Sequence, residues 1–230
     1  MVRSYNGNQE GEREAILGTL KYVYDEVYRD VNYGPILTAH GLLAALSISQ
    51  RIPPDGKVLC VGAGNAYEAV HFKMRGFDVR TFDYHVPKID YLESRQVVGD
   101  CNAIAFKDNY FDLVQCCEML EHVKPESADA CLSELFRVGR HIFRFTIADK
   151  EDPYGDLHLC VKPVEWWREK MEKIGYFIYH IEIKPRFTVF MLVEGSGLGI
   201  KEWLYPSGYL IEARKLPKED SKDIPEQVGK

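Results

Sequence analysis

The chain has no excess of positive charge, no stretch apolar enough to span a bilayer, and no cysteine pair at metal-motif spacing. Lys and Arg number 29 against 35 Asp and Glu, for a formal net charge of −6. Nothing in that balance draws the chain to a phosphate backbone, so nucleic acid is not the expected partner. No run of eighteen apolar residues occurs, and no charged start leads into an apolar segment. Both absences argue against a membrane span or a secretion signal and for a cytoplasmic protein. Cys60, Cys101, Cys116, Cys117, Cys131 and Cys160 form no CxxC pair, and most lie in apolar runs, which points to reduced thiols packed as small hydrophobes. What is present describes a globular domain: 230 residues, 46% hydrophobic and 28% charged, enough to bury a full core.

The run Lys57-Val58-Leu59-Cys60-Val61 breaks into Gly62-Ala63-Gly64-Asn65-Ala66 and then into a helical pattern. That is a strand, a tight turn and a helix start. Without a Cβ at positions 62 and 64 a ligand can approach the backbone, and the helix offers unpaired N–H groups to a polar or anionic group. A dinucleotide loop wants a third glycine three positions after Gly64, and position 67 is Tyr, which leaves a nucleoside cofactor as the better candidate.

The remaining chain alternates strands and helices. Residues 1–54 read as an N-terminal helical cap with an amphipathic, tyrosine-bearing first helix and a second helix ended by Pro53-Pro54-Asp55-Gly56. Strands are expected at 57–61, 77–82, 97–100, 111–116 and 141–147, and helices at 66–75, 125–138 and 163–174, with Gly76 and Gly175 as left-handed stops. Phe177–Ile183 and Thr188–Val193 are expected to close the sheet as an antiparallel pair. The pattern predicts an α/β fold, a Rossmann-like three-layer sandwich around a mostly parallel sheet. The core is set at 55–195, an appended hairpin at 196–214 and a charged, disordered tail at 215–230.

Asp83 follows Gly64 by nineteen residues at the end of the second strand, where an acid can accept from both hydroxyls of a ribose. Asp100 and Cys101 follow the third strand, where a carboxylate and a main-chain N–H can meet an adenine edge. The order and spacing of Val58-Leu59-Cys60-Val61-Gly62-Ala63-Gly64, Phe82-Asp83, Gly99-Asp100-Cys101, Phe111-Asp112-Leu113-Val114 and Leu120-Glu121-His122-Val123 resembles the class I S-adenosylmethionine-dependent methyltransferases. The resemblance implies a seven-stranded sheet with its last strand antiparallel and S-adenosyl-L-methionine as cofactor. It implies cofactor contacts from Gly62, Ala63, Gly64, Asn65, Asp83, Tyr84, Asp100, Cys101 and Glu118. The family usually carries an acid two residues before the first glycine. This chain has Cys60 there, so the methionine ammonium is expected to lean on Glu118 or on backbone carbonyls.

Methyl transfer from a sulfonium needs alignment and a dry pocket more than covalent help, and a base only for some acceptors. His122 and His158 are the candidate bases. If the turn after the fourth strand is helical, Glu118 and His122 share a face with Glu121 adjacent. With His158, that set resembles the metal-binding motif of small-RNA 3′-end 2′-O-methyltransferases, an alternative that would add a divalent metal. The favoured acceptor is a small or medium molecule methylated at oxygen or nitrogen. A catalytically silent cofactor-binding or scaffold protein is the alternative from a different class.

Overall fold

The computed structural model describes residues 48–64, 66–84, 92, 95–151, 157–183, 186–193, 197–204 and 208–215. The expected N-terminal cap, apart from 48–54, lies outside these residues, as do Asn65, the loop around Tyr154 and the tail beyond 215.

The run after Gly56 forms β1 (Lys57–Val61), buried on both faces between two parallel neighbours, as its continuous apolar sequence requires. After the glycine turn come α1 (Tyr67–Met74) and β2 (Asp78–Asp83), then β3 (Gln96–Val98) and β4 (Phe111–Cys117). The second half adds α2 (Ala128–Val138), β5 (Gly139–Ala148), α3 (Val164–Ile174), β6 (Tyr176–Ile183), β7 (Arg186–Val193), β8 (Gly197–Leu204) and β9 (Gly208–Lys215). Seven strands make one sheet in the order β3-β2-β1-β4-β5-β9-β6. β9 runs antiparallel to both its neighbours, and the pairings from β3 through β5 are parallel.

Side chains alternate across β1, so the sheet has two distinct packed faces. Leu59 and Val61 join the cluster built with α2 and α3, where Leu132, Leu135, Trp167 and Met171 are buried. Val58 and Cys60 join the cluster under α1, with Ala69 and Phe72. Gly76 (φ +93°) and Gly175 (φ +114°) take left-handed conformations after α1 and α3, as expected. Trp167 is fully buried, and Trp166, packed edge-on against it, is half-buried.

The end of the sheet differs from expectation. β6 does not pair with the strand that follows it; β7 instead pairs with β8 in a separate two-stranded sheet. The seventh strand is β9, inserted between β5 and β6. The core therefore extends to 215 instead of ending at 195, and the segment expected as an appended hairpin contains a central strand. The physical reason lies in β9 itself. Leu210, Ile211 and Ala213 are buried, and Glu212 faces Arg144, which is buried in β5, at 3.9 Å.

That pair belongs to a row of buried polar side chains crossing the sheet in register: Thr81, Cys60, Gln115, Arg144 and Glu212. Arg51, just after the described start of the chain, bonds the other oxygen of Glu212 at 2.5 Å. Replacing 186–204 by a short Gly/Ser linker should leave a cooperative urea transition. Glu212→Leu should cost about 3–5 kcal/mol in the same measurement, because it removes the carboxylate that faces the buried Arg144 guanidinium.

Candidate active site

The chain leaves β1 through a turn that only glycine can make at its first position. Gly62 has φ +66°, and a Cβ there would fall 2.4 Å from Met119 Cβ and Cγ. Its N–H donates to the Phe82 carbonyl at 2.9 Å. Gly64, at φ +47°, donates its N–H to Asp83 Oδ2 at 2.8 Å. Ala66 is also left-handed (φ +56°) and donates to the Ala63 carbonyl just before α1 begins. The acid expected at the ribose thus also holds the glycine turn through one of its carboxylate oxygens.

One strand further out, Gly99 donates its N–H to the Asp83 carbonyl at 3.0 Å, and a Cβ on it would run into the Phe82 ring. Asp100 Oδ1 accepts from the Tyr84 hydroxyl at 3.2 Å and from the main-chain and side-chain N–H groups of Asn102, both at 2.9 Å. Burial, with Cys101 and Asp100 nearby, pushes the Tyr84 phenol far above its ordinary value, so it stays a hydroxyl donor. The Cys101 thiol turns into the core against Cys131, which leaves its main chain as the part able to face a ligand.

At the end of β4 the expected helical turn is absent. Glu118 is left-handed (φ +51°), with its N–H on the Thr146 carbonyl at 2.9 Å, and only Leu120–His122 form a 3-10 turn. Glu118 and His122 therefore do not share a helix face. Glu118 Oε1 is buried and has no hydrogen-bond partner among the described residues. Desolvation raises this carboxyl to about 7, a shift that the Thr146 hydroxyl opposes.

Glu121, His122 and His158 do converge: their ligand atoms lie within 4.8 Å of one another, and Glu118 is outside the group. Glu121 is fully buried, and its carbonyl accepts the Cys160 N–H at 2.8 Å, which ties the 157–160 segment to the turn. His122 Nδ1 meets the Leu157 carbonyl at 3.0 Å, and His158 Nδ1 meets the Lys150 carbonyl. A carbonyl only accepts, so each Nδ1 carries a proton and each Nε2 holds the lone pair. The rings stand edge-to-face with centroids 4.8 Å apart. The structure thus brings together two histidines thirty-six residues apart in sequence.

One group escaped the sequence reading. Glu68, in the first turn of α1, points inward at 7% exposure, and its Oε2 accepts from Gln115 Nε2 at 3.1 Å. Burial raises it to about 7, opposed by Gln115, Arg144 and the Cys117 and Cys60 thiols. The available signal was its position four residues before Phe72, on the apolar stripe of the helix.

A buried carboxyl raised in the fold is fully compatible with folding while protonated, below its unfolded value near 4.5, and loses that stability as pH rises through about 7. Glu118→Gln should therefore melt about 5 °C higher than the parent at pH 8, with no difference at pH 4. Thermal unfolding followed by circular dichroism at the two pH values measures this.

Residues 59–141 match the profile of the family described as "Methyltransferase domain". Among curated protein sequences none matches the chain significantly. Among solved structures, the chain is similar to the Burkholderia thailandensis 1,6-didemethyltoxoflavin-N1-methyltransferase with bound 1,6-didemethyltoxoflavin and S-adenosylhomocysteine. That likeness has a TM-score of 0.65 at 16% identity and covers 94% of each chain. It is also similar to a SAM-dependent methyltransferase from Methanosarcina mazei (TM-score 0.56, 15% identity, 74% of this chain and 97% of that one). A third likeness is to a SAM-dependent methyltransferase from Archaeoglobus fulgidus (TM-score 0.54, 17% identity, 76% of this chain and 94% of that one). At these identities the structural likeness is one of fold. The chain thus carries a methyltransferase-domain match over residues 59–141, set in a fold that it shares with SAM-dependent methyltransferases of known structure.

Proposed function

We propose that the chain binds S-adenosyl-L-methionine and transfers its methyl group to an oxygen or nitrogen of a small or medium acceptor. The observation that carries this reading is the glycine turn held by Asp83. The turn sets the Gly62–Gly64 backbone beside a carboxylate at the end of β2 and near a second one, Asp100, one strand further out. These groups fit the cofactor. Asp83 suits the ribose hydroxyls, Asp100 and the main chain of Cys101 suit the adenine edge, and the buried Glu118 suits an ammonium.

Bound cofactor supplies a sulfonium methyl group that an acceptor lone pair takes up. The protein's part is to bind, align and manage the acceptor's proton. His122 and His158 are supported in that last role, because each holds its Nδ1 proton on a carbonyl and presents Nε2 as the basic atom. An acceptor O–H or N–H would pass its proton to one of these nitrogens as the new bond to carbon forms.

The test is incubation of acceptor extracts with labelled cofactor, alongside calorimetry. The parent should bind S-adenosylmethionine and label an acceptor. Asp83→Ala should lose transfer and weaken cofactor binding about ten-fold or more. Absence of binding up to about millimolar cofactor would overturn the enzyme reading and leave a scaffold role.

A second reading has its own support in the convergence of Glu121, His122 and His158. One carboxylate and two imidazole nitrogens suit a divalent cation, and in this reading the acceptor is a 2′-hydroxyl at an RNA 3′ end. Chelation separates the two: loss of turnover restored by Mn²⁺ or Mg²⁺ assigns the histidines to a metal. Turnover that survives chelation but is lost in His122→Ala or His158→Ala assigns them to proton transfer.

A further inference from the structure

Glu68 breaks the pattern of its own helix. It lies in the stripe that α1 buries with Ala69 and Phe72, so its carboxylate faces the sheet instead of solvent. Around it stand the Cys60 thiol of β1 and, from β4, Gln115 and the Cys117 thiol, with Arg144 of β5 exerting an attractive pull. Gln115 satisfies Oε2. Oε1 is buried with no hydrogen-bond partner among the described residues. Arg144 is shared with the Glu212 carboxylate on the neighbouring strand, and burial makes both thiols harder to ionise. Among the described residues, an ionised Glu68 therefore has little positive charge to meet it in a place from which water is excluded.

The location gives that shortage a meaning. Cys60 stands two residues before Gly62 on the same side of β1, and Cys117 directly precedes Glu118. The carboxylate thus lies beneath the point where the glycine turn leaves the sheet, between the ends of β1 and β4, which are paired through Val61 and Cys116.

We propose that Glu68 is the counter-charge that draws and orients the ammonium at the amino-acid end of the cofactor, acting from α1 in place of a carboxylate at position 60 of β1. This inference rests on reading the glycine turn as the seat of S-adenosylmethionine. Because Oε1 is covered, Glu68 acts through the turn as a positioning residue, and attraction between charges survives such separation where the surroundings are poorly polarisable.

Calorimetry with two ligands tests it: S-adenosylhomocysteine, and 5′-deoxy-5′-methylthioadenosine, which keeps the adenosine and thioether but has no amino-acid end. Glu68→Gln preserves shape and can still accept from Gln115. The variant should bind S-adenosylhomocysteine about ten-fold or more weakly and bind the thioadenosine as the parent does. Adding Cys60→Asp to Glu68→Gln should restore the lost affinity. An equal loss for both ligands, or no loss for either, overturns the proposal and makes Glu68 a packing element. A parent that binds neither ligand overturns the reading of the glycine turn and this proposal together.

Discussion

The hydrogen bond from the Gly64 amide to the Asp83 carboxylate fixes more of this molecule than its single contact suggests. It joins the exit of β1 to the end of β2, and with the Gly62 amide on the Phe82 carbonyl it shapes the turn before α1 starts. A charged acceptor makes such a bond worth about 1.5–3 kcal/mol, enough to hold an otherwise costly run of left-handed residues. Met119 closes the turn from the other side, so the ends of β1, β2 and β4 are locked to one another. The acids and histidines of the site are placed relative to that lock.

Among the described residues, acidic groups gather at the resulting end of the sheet. Asp83 and Asp100 sit at strand ends, while Glu68, Glu118 and Glu121 are drawn inward. Among the described residues, Arg144 faces Glu212 on the neighbouring strand. Such an imbalance costs free energy in the empty protein and is relieved by a positively charged ligand. A sulfonium cofactor with an ammonium at one end has that character. The site and its reading are consistent on electrostatic grounds as well as geometric ones.

Much of this was legible in the sequence because it is local. The glycine turn, its strand and the stops at Gly76 and Gly175 follow from conformational rules that operate within a few residues. Asp83 and Asp100 could be placed because strand ends in a parallel sheet share one edge. The Cys60 thiol packs under α1, where an apolar strand would put it. What stayed hidden depended on contacts distant along the chain. The short, Pro-containing link between expected strands 177–183 and 188–193 reads as a hairpin, and only the pairing of β9 with β5 and β6 reveals it as an interior strand of the sheet. Spacing would set Glu118 on one face with His122 only if the turn were helical, whereas its backbone turns left-handed and its N–H meets the Thr146 carbonyl. Glu68 was passed over because an acid in a first helical turn ordinarily faces solvent and complements the helix dipole.

The insertion of β9 also bears on how the chain matures during synthesis. Residues 139–148 and 176–183 emerge well before 208–215, yet β6 joins the sheet only through that later strand, and β5, paired with β4 on one side, has its other neighbour in it. Until β9 arrives, β5 offers an open hydrogen-bonding edge and β6 has no place in the sheet. The Arg144 guanidinium meanwhile lacks its Glu212 partner. The growing chain must therefore hold a partial sheet of parallel strands in waiting, and the seven-stranded sheet is completed only when β9 arrives.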